Sequence, residues 1–572
     1  MKQSTSDQLF SENRNQTVSR IINNSQLLVR DPKLFLHKTF NRLKNNRRGI
    51  YFLRQMDKNA RRFINHNKRV WRDWKINNAS GLILFDYYPL AETEIARSYL
   101  LNTLAKKYCA QIASFSMRKS NTIEWDEIYR SYNVENHVLV NLSAEQRERS
   151  QSIFNEVFPK IETKRDVFDL NVLGVWIGVD IYEEYLMRHT EPTIIVDDPR
   201  LEKIIREGID ALVFWIDFYQ NNDVKAIVSS HIGVRIEKNL TCKIAGALFN
   251  IPFYSTHARS VTYYPEPHLY FKEVARHYMT YHDRFKQLSK DIQKQAISWA
   301  RDRMQKRLTG EVGVDMPYST KSAFSMDGDN KSIVKDSDKI KVLVCTHEFY
   351  DSPNCYGGLL FMDFYEWLIY LGDISKKTDY DWYVKTHPDV LPMSKEIIEK
   401  IVTDYPRFKL IPPETSFHQL ASEGIEFVLT CYGSVGHECP LLGMQVINAG
   451  NNPHMGYDFN WNPKTLEEYE RLLMNLGSLE KETNLKDIYE FYYMHYKGVG
   501  IIDDWIYLSY KNMLVDLTEK ERFGFDIFPY FLDQLTRERH HHMISRFTDY
   551  INSGKIGSAT LLDFGQKDST MK

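Results

Sequence analysis

Residues 381–389 read DWYVKTHPD and residues 427–448 read FVLTCYGSVGHECPLLGMQVIN. In the first stretch, a short aromatic and β-branched run ends at Lys385 and His387, and Pro388 cannot continue a strand. The second stretch has the pattern of a βαβ unit: buried strand, glycine-containing turn, short helix, a further glycine and another buried strand. Both stretches therefore predict polar residues at the carboxyl ends of parallel strands, where open α/β sheets bind ligands.

The turn at residues 432–436, YGSVG, predicts an anion-binding site. Glycines lack a Cβ atom, so consecutive backbone N–H groups can converge on a phosphate where a helix begins. Ser434 would add a hydroxyl donor. Glu438 follows four residues later on the same helix face, and its carboxylate suits the hydroxyl groups of a ribose. Pro440 is tolerated in a first helical turn, which places the predicted helix start near residues 436–437.

Two side chains after the earlier strand extend this predicted site. Lys385 and His387 would supply positive charge or neutral donors, and a histidine beside phosphate can shield the charge that develops on a leaving group. The order of the two motifs within one α/β domain therefore indicates a pocket for a nucleotide phosphate. The residues themselves thus predict a donor site of Lys385, His387, Tyr432, Gly433, Ser434 and Glu438.

The chain resembles the bacterial GT-B glycosyltransferases that build capsule and other surface polysaccharides. The resemblance covers residues 81–475 and is carried by these segments: KTHP (385–388), YGSVGHECPLLGMQVI (432–447), THEFYDSP (346–353), FMDFYEWL (361–368), GVDIYEEY (178–185) and NPH (452–454). It implies that His387 and Ser434 contact the donor phosphate and that Glu438 contacts the ribose. It also implies that the loop with His347 and Asp351 borders the cleft, which adds these two residues to the predicted donor site.

The resemblance implies an α/β fold with two Rossmann-like domains facing across a cleft. The implied activity is transfer of a sugar from a nucleotide-sugar donor to a surface polysaccharide or a lipid-linked glycan. A CMP-sugar is the first choice, because bacterial transferases that use CMP-activated acids also pair an HP motif with a serine motif; the acidic motif of some sialyltransferases is matched only in part, by residues 422–424. Two alternatives stay open: a CDP-alcohol phosphotransferase of the teichoic-acid type, and a non-catalytic partner in polysaccharide assembly. We expect neither a cofactor nor a metal, since cationic side chains and amides would hold the phosphates.

The alternation of strand and helix patterns predicts five segments. A basic helical arm covers residues 1–80, and an acceptor domain covers residues 81–308. A linker or mobile loop spans residues 309–338, a nucleotide-sugar domain spans 339–475, and a helical segment spans 476–572.

Candidates for the catalytic base and the acceptor site follow predicted strand ends of the first domain. An inverting transfer needs a base that takes the proton from the acceptor hydroxyl. We favour Asp180 and then His231 for this role, with His387 as the catalytic residue on the donor side. Glu183 is a further candidate base. Asp86, Glu184 and His257 are the predicted acceptor residues.

Composition narrows the class of protein. The 572 residues are 43% hydrophobic and 26% charged, as in soluble globular proteins. Because no apolar run nears the ~20 residues of a membrane span and the N-terminus lacks a signal-peptide core, we expect a cytoplasmic protein, with the inner face of the membrane as an alternative. The six cysteines form no CxxC pair and read as reduced residues.

Charge is distributed unevenly along the chain. Residues 1–80 hold 18 Lys or Arg against 5 Asp or Glu, although the whole chain has a net charge of −1. Such a basic, amphipathic arm can lie on an anionic membrane, or it can pack on the acidic remainder or on another subunit. Nucleic-acid binding is not favoured, because no nucleic-acid-binding motif accompanies the charge.

Overall fold

The structure is a computed structural model that describes residues 56–117, 123–229, 235–237, 239–257, 260–316, 319–325, 332–497 and 524–558. Two sheets of mainly parallel strands organise these ranges, one of seven strands and one of five. Both stretches quoted first belong to the five-stranded sheet. The α/β fold with two domains, which the sequence predicted, is thus present.

The first domain is built on the seven-stranded sheet. Its strands are β1 (Gly81–Asp86), β2 (Ala110–Ser116), β3 (Val134–Leu139), β6 (Val224–Ser229), β7 (Phe253–His257), β8 (Ser260–Tyr264) and β14 (Gly557–Ser558), and a separate small hairpin is formed by β4 (Asn171–Val172) and β5 (Val175–Trp176). The strand order is β14-β8-β7-β6-β1-β2-β3. The last five strands are parallel, β8 is antiparallel to β7, and β14 at the edge is antiparallel to β8. The parallel part has the order of a Rossmann-type sheet.

Helices cover both faces of this sheet. They are α1 (Lys58–Val70), α2 (Ala91–Tyr108), α3 (Ile123–Ser131), α4 (Ala144–Val157), α5 (Lys164–Phe168), α6 (Gly178–His189), α7 (Pro199–Asn221), α8 (Leu240–Phe249) and α9 (Tyr270–Met279). Alternate residues of β1 enter different cores, because successive side chains of a strand point to opposite faces. Ile83 and Phe85 belong to one apolar cluster, and Leu84 belongs to the other.

The second domain is built on five parallel strands in the order β11-β10-β9-β12-β13. The strands are β9 (Lys341–Cys345), β10 (Asp381–Lys385), β11 (Phe408–Ile411), β12 (Phe427–Thr430) and β13 (Gln445–Asn448). The helices are α12 (Phe364–Lys377), α13 (Pro392–Asp404), α14 (Phe417–Ser422), α15 (Val435–Glu438) and α16 (Leu466–Met474). The chain reverses its direction of sheet growth between β9 and β12, and ligands bind at such switch points.

The connection between the domains packs on the second domain in the parts that the structure describes. It begins with α10 (Tyr281–Lys286) and α11 (Lys290–Leu308). Within the predicted linker, the backbone carbonyl of Ala323 accepts a hydrogen bond from the N–H of Phe417 at 3.0 Å, and Phe324 is buried in the core of the second domain. Residues 319–325 therefore pack against the second domain.

The C-terminal segment contacts both domains. Helix α17 (Leu485–Tyr496) packs on α10 and α11 through an aromatic cluster. Helices α18 (Ile527–Gln534) and α19 (Arg537–Ser553) pack on α1 and α2, and β14 adds a strand to the first sheet. The predicted helical segment is therefore joined to the first domain as well as to the second.

The described part of the basic arm packs on helix α18 of the same chain. Phe63 of α1 stacks on Phe528 of α18 with ring centroids 4.0 Å apart, and Arg62 forms an ion pair with Asp533. The remaining arm, residues 1–55, lies outside the described residues, so the predicted membrane contact stays a prediction. None of the helices in the described ranges combines the length and apolar character needed to cross a bilayer.

Candidate functional site

A pocket lies at the carboxyl ends of β9, β10 and β12. It is lined by Arg307, Glu311, Val312, Gly313, Ser319, Lys321, Ser322, Ala323, Phe324, Cys345, Thr346, His347, Lys385, Thr386, His387, Pro388, Phe417, Thr430, Gly433, Ser434, Val435 and Glu438. The structure thus brings together Lys385, His387, Gly433, Ser434, Glu438 and His347 of the predicted donor site. Their roles in binding a donor stay predictions.

Lys385 ends β10 and is almost fully buried. Its ammonium donates a hydrogen bond to the carbonyl oxygen of Pro413 and lies 5.4 Å from the centre of the Phe417 ring. Burial lowers the pKa of Lys385 to about 8. The amine is still largely protonated at neutral pH, and an anion in the pocket would stabilise that charge.

His387 stands exposed at the pocket, two residues beyond β10. The backbone N–H of Asp389 donates to its Nδ1 at 3.0 Å. Because Nδ1 accepts, the neutral ring carries its proton on Nε2, which can donate to a ligand. Desolvation by the protein atoms around the ring lowers its pKa, so the neutral donor form prevails at pH 7.

His347 follows β9 and is held by its neighbours. Its Nε2 accepts a hydrogen bond from the backbone N–H of Cys431 at 3.2 Å, and its ring stacks on Phe364 at 4.6 Å. Burial lowers the pKa of His347 to about 3. His347 is therefore a neutral wall of the pocket, and it adds no charge at physiological pH.

The two polar side chains of the serine turn contact each other. Helix α15 begins at Val435, and a 3₁₀ turn follows from Cys439 to Leu442 and accommodates Pro440 near its start. The hydroxyl of Ser434 donates to Oε2 of Glu438 at 3.1 Å. Oε1 of Glu438 accepts from Arg307 of α11, in an ion pair that is largely buried. Glu438 is therefore fixed from two sides at the pocket wall.

The two glycines of the turn are required for packing. A Cβ atom on Gly436 would lie 2.5 Å from the ring of the buried His454, and one on Gly433 would lie 2.9 Å from the hydroxyl of Thr430. That hydroxyl already accepts the backbone N–H of Gly433 at 3.1 Å. The predicted convergence of glycine N–H groups on an anion is thus wrong for Gly433, whose N–H binds Thr430.

Tyr432 and Asp351 are not among the residues that line the pocket. The ring of Tyr432 is 4.6 Å from that of His347, and its hydroxyl donates to the backbone carbonyl of Asp351 at 3.4 Å. The Asp351 side chain is exposed in a turn that follows β9. Tyr432 thus supports His347, and direct contact with a donor stays a prediction for both residues.

The predicted acidic residues of the first domain are engaged elsewhere. Asp180 is fully buried in α6 and pairs with Lys243, Asp86 pairs with the buried Arg97 at 3.1 Å, and Glu184 pairs with Arg188 at 2.6 Å. Burial raises the pKa values of Asp180 and Glu184. The structure brings none of these three carboxylates to the donor pocket, and we do not include them in the proposed site.

Two predicted histidines lie wholly or partly outside the described residues. His231 lies outside the described residues. His257 ends β7, but its side chain lies outside the described part of the chain. Their roles as base and acceptor residue stay predictions.

Helix α6 instead joins the two domains. The carboxylate of Glu183 accepts the backbone N–H of Asn354 at 2.8 Å, and the hydroxyl of Tyr182 donates to Asp363 at 2.6 Å. Burial raises the pKa of Glu183 to about 8 and that of Asp363 to about 6. The GVDIYEEY segment, which carried part of the sequence resemblance, thus fixes the first domain against the loop between β9 and α12.

Sequence reasoning missed Arg307 and Lys321, which both line the pocket. Neither belongs to a local motif, and both lie more than 60 residues before Lys385 in the chain. Arg307 had one signal, because it occupies the last turn of a helix that ends at a predicted domain junction. Among the described residues, no group of three or more His, Cys, Asp or Glu side chains is placed to hold a metal ion.

Comparison with known proteins gave likenesses in structure alone. No protein-family model and no curated sequence matches the chain. The solved structures that resemble it include KpsC, a beta Kdo 2,4 transferase from Thermosulfurimonas dismutans, at 12% identity and a TM-score of 0.27, over 47% of this chain and 79% of that one. Anabaena HepE in complex with UDP is 10% identical with a TM-score of 0.24, over 73% and 95%.

A UDP-GlcNAc 2-epimerase from Neisseria meningitidis, bound to UDP-GlcNAc, is 11% identical with a TM-score of 0.16, over 83% of this chain and 98% of that one. A transferase and an epimerase thus occur together among these neighbours, at TM-scores below 0.5. We therefore base the function on the geometry of the pocket.

Proposed function

We propose that this protein is a glycosyltransferase that moves a sugar from a nucleotide-sugar donor to a surface polysaccharide or a lipid-linked glycan. The observation that carries the proposal is the convergence of Lys385, His387, Ser434 and Glu438 in one pocket at the switch point of the second sheet. Lys385 and His387 suit a phosphate. Ser434 and Glu438 form a hydroxyl–carboxylate pair, in which the hydroxyl suits a phosphate and the carboxylate suits a ribose. A CMP-sugar is our first choice of donor.

The residues of the pocket suggest how the leaving group is stabilised. As the bond between sugar and phosphate breaks, negative charge accumulates on the nucleotide. The ammonium of Lys385 and the Nε2–H of His387 would bind that charge, and a partly buried site strengthens such contacts. In this proposal side chains of the protein neutralise the phosphate, and no metal is required.

A nucleotide screen tests this proposal. We expect thermal unfolding of the wild-type protein to shift upward with one nucleotide among CMP, CDP, UDP and GDP, because a ligand at 100 times its Kd stabilises the folded state by about 2.7 kcal/mol. His387→Ala should reduce the shift, whereas His541→Ala, an exposed histidine of α19, should not. No shift with any nucleotide would contradict the proposal.

The pH dependence of nucleotide binding provides a second test. Burial lowers the pKa of Lys385 to about 8, so the amine loses its proton as the pH rises through 8. The phosphate charge is constant above pH 7. We therefore expect nucleotide affinity to fall about tenfold between pH 7 and pH 9, as measured by calorimetry.

Lys385→Arg is the matched variant for this test, because a guanidinium stays protonated over the whole range. Its affinity should change less than twofold between pH 7 and pH 9. An equal fall in both proteins, or a flat wild-type profile, would show that Lys385 does not bind the phosphate.

A further inference from the structure

The segment Ser319–Phe324, which we call the strap, forms one wall of the donor pocket. It belongs to the connection between the domains and is fixed at three points. The backbone N–H of Thr320 donates to the carboxylate of Asp389 at 3.0 Å, and the hydroxyl of Thr320 donates to the same carboxylate. Farther along, Ala323 accepts the N–H of Phe417, and Phe324 packs on Phe417 with ring centroids 5.5 Å apart.

Asp389 links the strap to the predicted catalytic histidine. Its carboxylate binds Thr320, and its backbone N–H fixes the tautomer of His387. Between these contacts, the ammonium of Lys321 donates to the carbonyl oxygen of Pro388 at 3.2 Å. The strap thus places a second ammonium beside the His387-Pro388 motif, and Lys385 reaches the same pocket from the end of β10.

The charges that line the described pocket favour a ligand with more than one anionic group. Arg307 and Glu438 neutralise each other in their ion pair. Lys321 and Lys385 then remain as two positive charges. The one other carboxylate among the described lining residues is that of the exposed Glu311. A single phosphate ester can be neutralised by fewer positive charges than these two ammonium groups supply. Because the two groups come from different segments, each can bind its own anionic group.

We infer that Lys321 is a donor-binding residue that selects nucleotide ligands carrying a second anionic group next to the first phosphate. The inference rests on the proposed nucleotide site and deepens it. The second group is either the β-phosphate of a nucleoside diphosphate or the carboxylate of an acidic sugar, and both offer the same anionic oxygens to the strap.

Calorimetry with defined ligands tests this inference and separates the two sources. The ligands share one nucleoside, here cytidine: CMP, CDP and CMP-N-acetylneuraminic acid. The uridine or guanosine series is used if the screen selects another nucleoside. We expect the wild-type protein to bind CDP or the CMP-sugar about tenfold more tightly than CMP. Lys321→Met should remove that preference while the Kd for CMP changes less than twofold.

Two further variants separate charge from structure. Lys321→Arg should keep the preference, and Lys377→Met, an exposed lysine at the end of α12, should behave as wild type. Thr320→Val, which removes one hydrogen bond to Asp389, should reduce the preference about threefold. A gain with CDP alone assigns the second anion to phosphate, and a gain with the CMP-sugar alone assigns it to a carboxylate.

Three outcomes would overturn the inference. The first is that the wild-type protein binds CMP and both larger ligands with equal affinity. The second is that Lys321→Met keeps the full preference. The third is that Lys321→Met weakens the binding of all three ligands by the same factor. Each of these leaves the nucleotide site in place and rejects only the role of Lys321. Failure of the wild-type protein to bind any nucleotide would instead reject the proposed function and this inference together.

Discussion

Replacing His387 with alanine is expected to lower the rate of sugar transfer about 100-fold or more. The reason is that the Nε2–H of His387, fixed by the N–H of Asp389 on the opposite nitrogen, is the exposed donor beside the HP motif. The measurement is the kcat of nucleotide release from the donor that the screen selects. His541→Ala controls for the loss of a histidine elsewhere.

A second variant distinguishes two ways in which His387 could act. His387→Gln places a neutral amide N–H near the position of Nε2. If a neutral donor is sufficient, this variant should recover at least a tenth of the wild-type rate. If His387 must become protonated as the leaving group departs, the variant should be as slow as alanine. A rate for His387→Ala close to that of the wild-type protein would remove His387 from the mechanism.

Replacing Glu438 with alanine is expected to lower the free energy of unfolding by about 3–5 kcal/mol as well as weakening nucleotide binding. The carboxylate of Glu438 is 2% exposed and its partner, the guanidinium of Arg307, is 13% exposed, so the variant leaves a buried charge unpaired. Urea unfolding followed by circular dichroism measures the first effect, and calorimetry with the selected nucleotide measures the second.

The double variant Arg307→Met with Glu438→Gln separates stability from binding. It removes both charges together and keeps a side chain that Ser434 can contact, so stability should recover to within about 1.5 kcal/mol of wild type. Nucleotide binding should stay weak, because an amide is a poorer acceptor for ribose hydroxyls than a carboxylate. Unchanged stability of Glu438→Ala would show that the ion pair with Arg307 contributes little. Recovered binding in the double variant would show that the carboxylate does not contact the ligand.

The second domain was the more predictable half of the fold. Its buried strands end in polar residues, its turns contain glycine or proline, and each strand–helix unit is local in sequence. Lys385 and His387 could be placed at a strand end because Pro388 stops β10, and Ser434 and Glu438 could be placed on one helix face because four residues make about one helical turn. The contact of 3.1 Å between Ser434 and Glu438 agrees with that reasoning.

The acidic residues of the first domain show where such reasoning fails. Asp180 and Glu184 belong to helix α6, although the sequence placed them near a strand end. A carboxylate that acts as a base and one that pairs with a distant lysine look the same in a sequence. Lys243 lies 63 residues beyond Asp180, so their ion pair has no local signal.

The sequence by itself determined the local units of this protein: the strands, the serine turn, the HP motif and their order along the chain. These depend on residue spacing and on the restricted backbones of glycine and proline, which act over a few positions. Only the tertiary structure decided which distant residues complete the pocket. Arg307 reaches Glu438, and Lys321 reaches Pro388, because the connection between the domains folds back onto the second sheet. Contacts of this kind join segments 67 to 131 residues apart, and nothing in either segment alone specifies its partner.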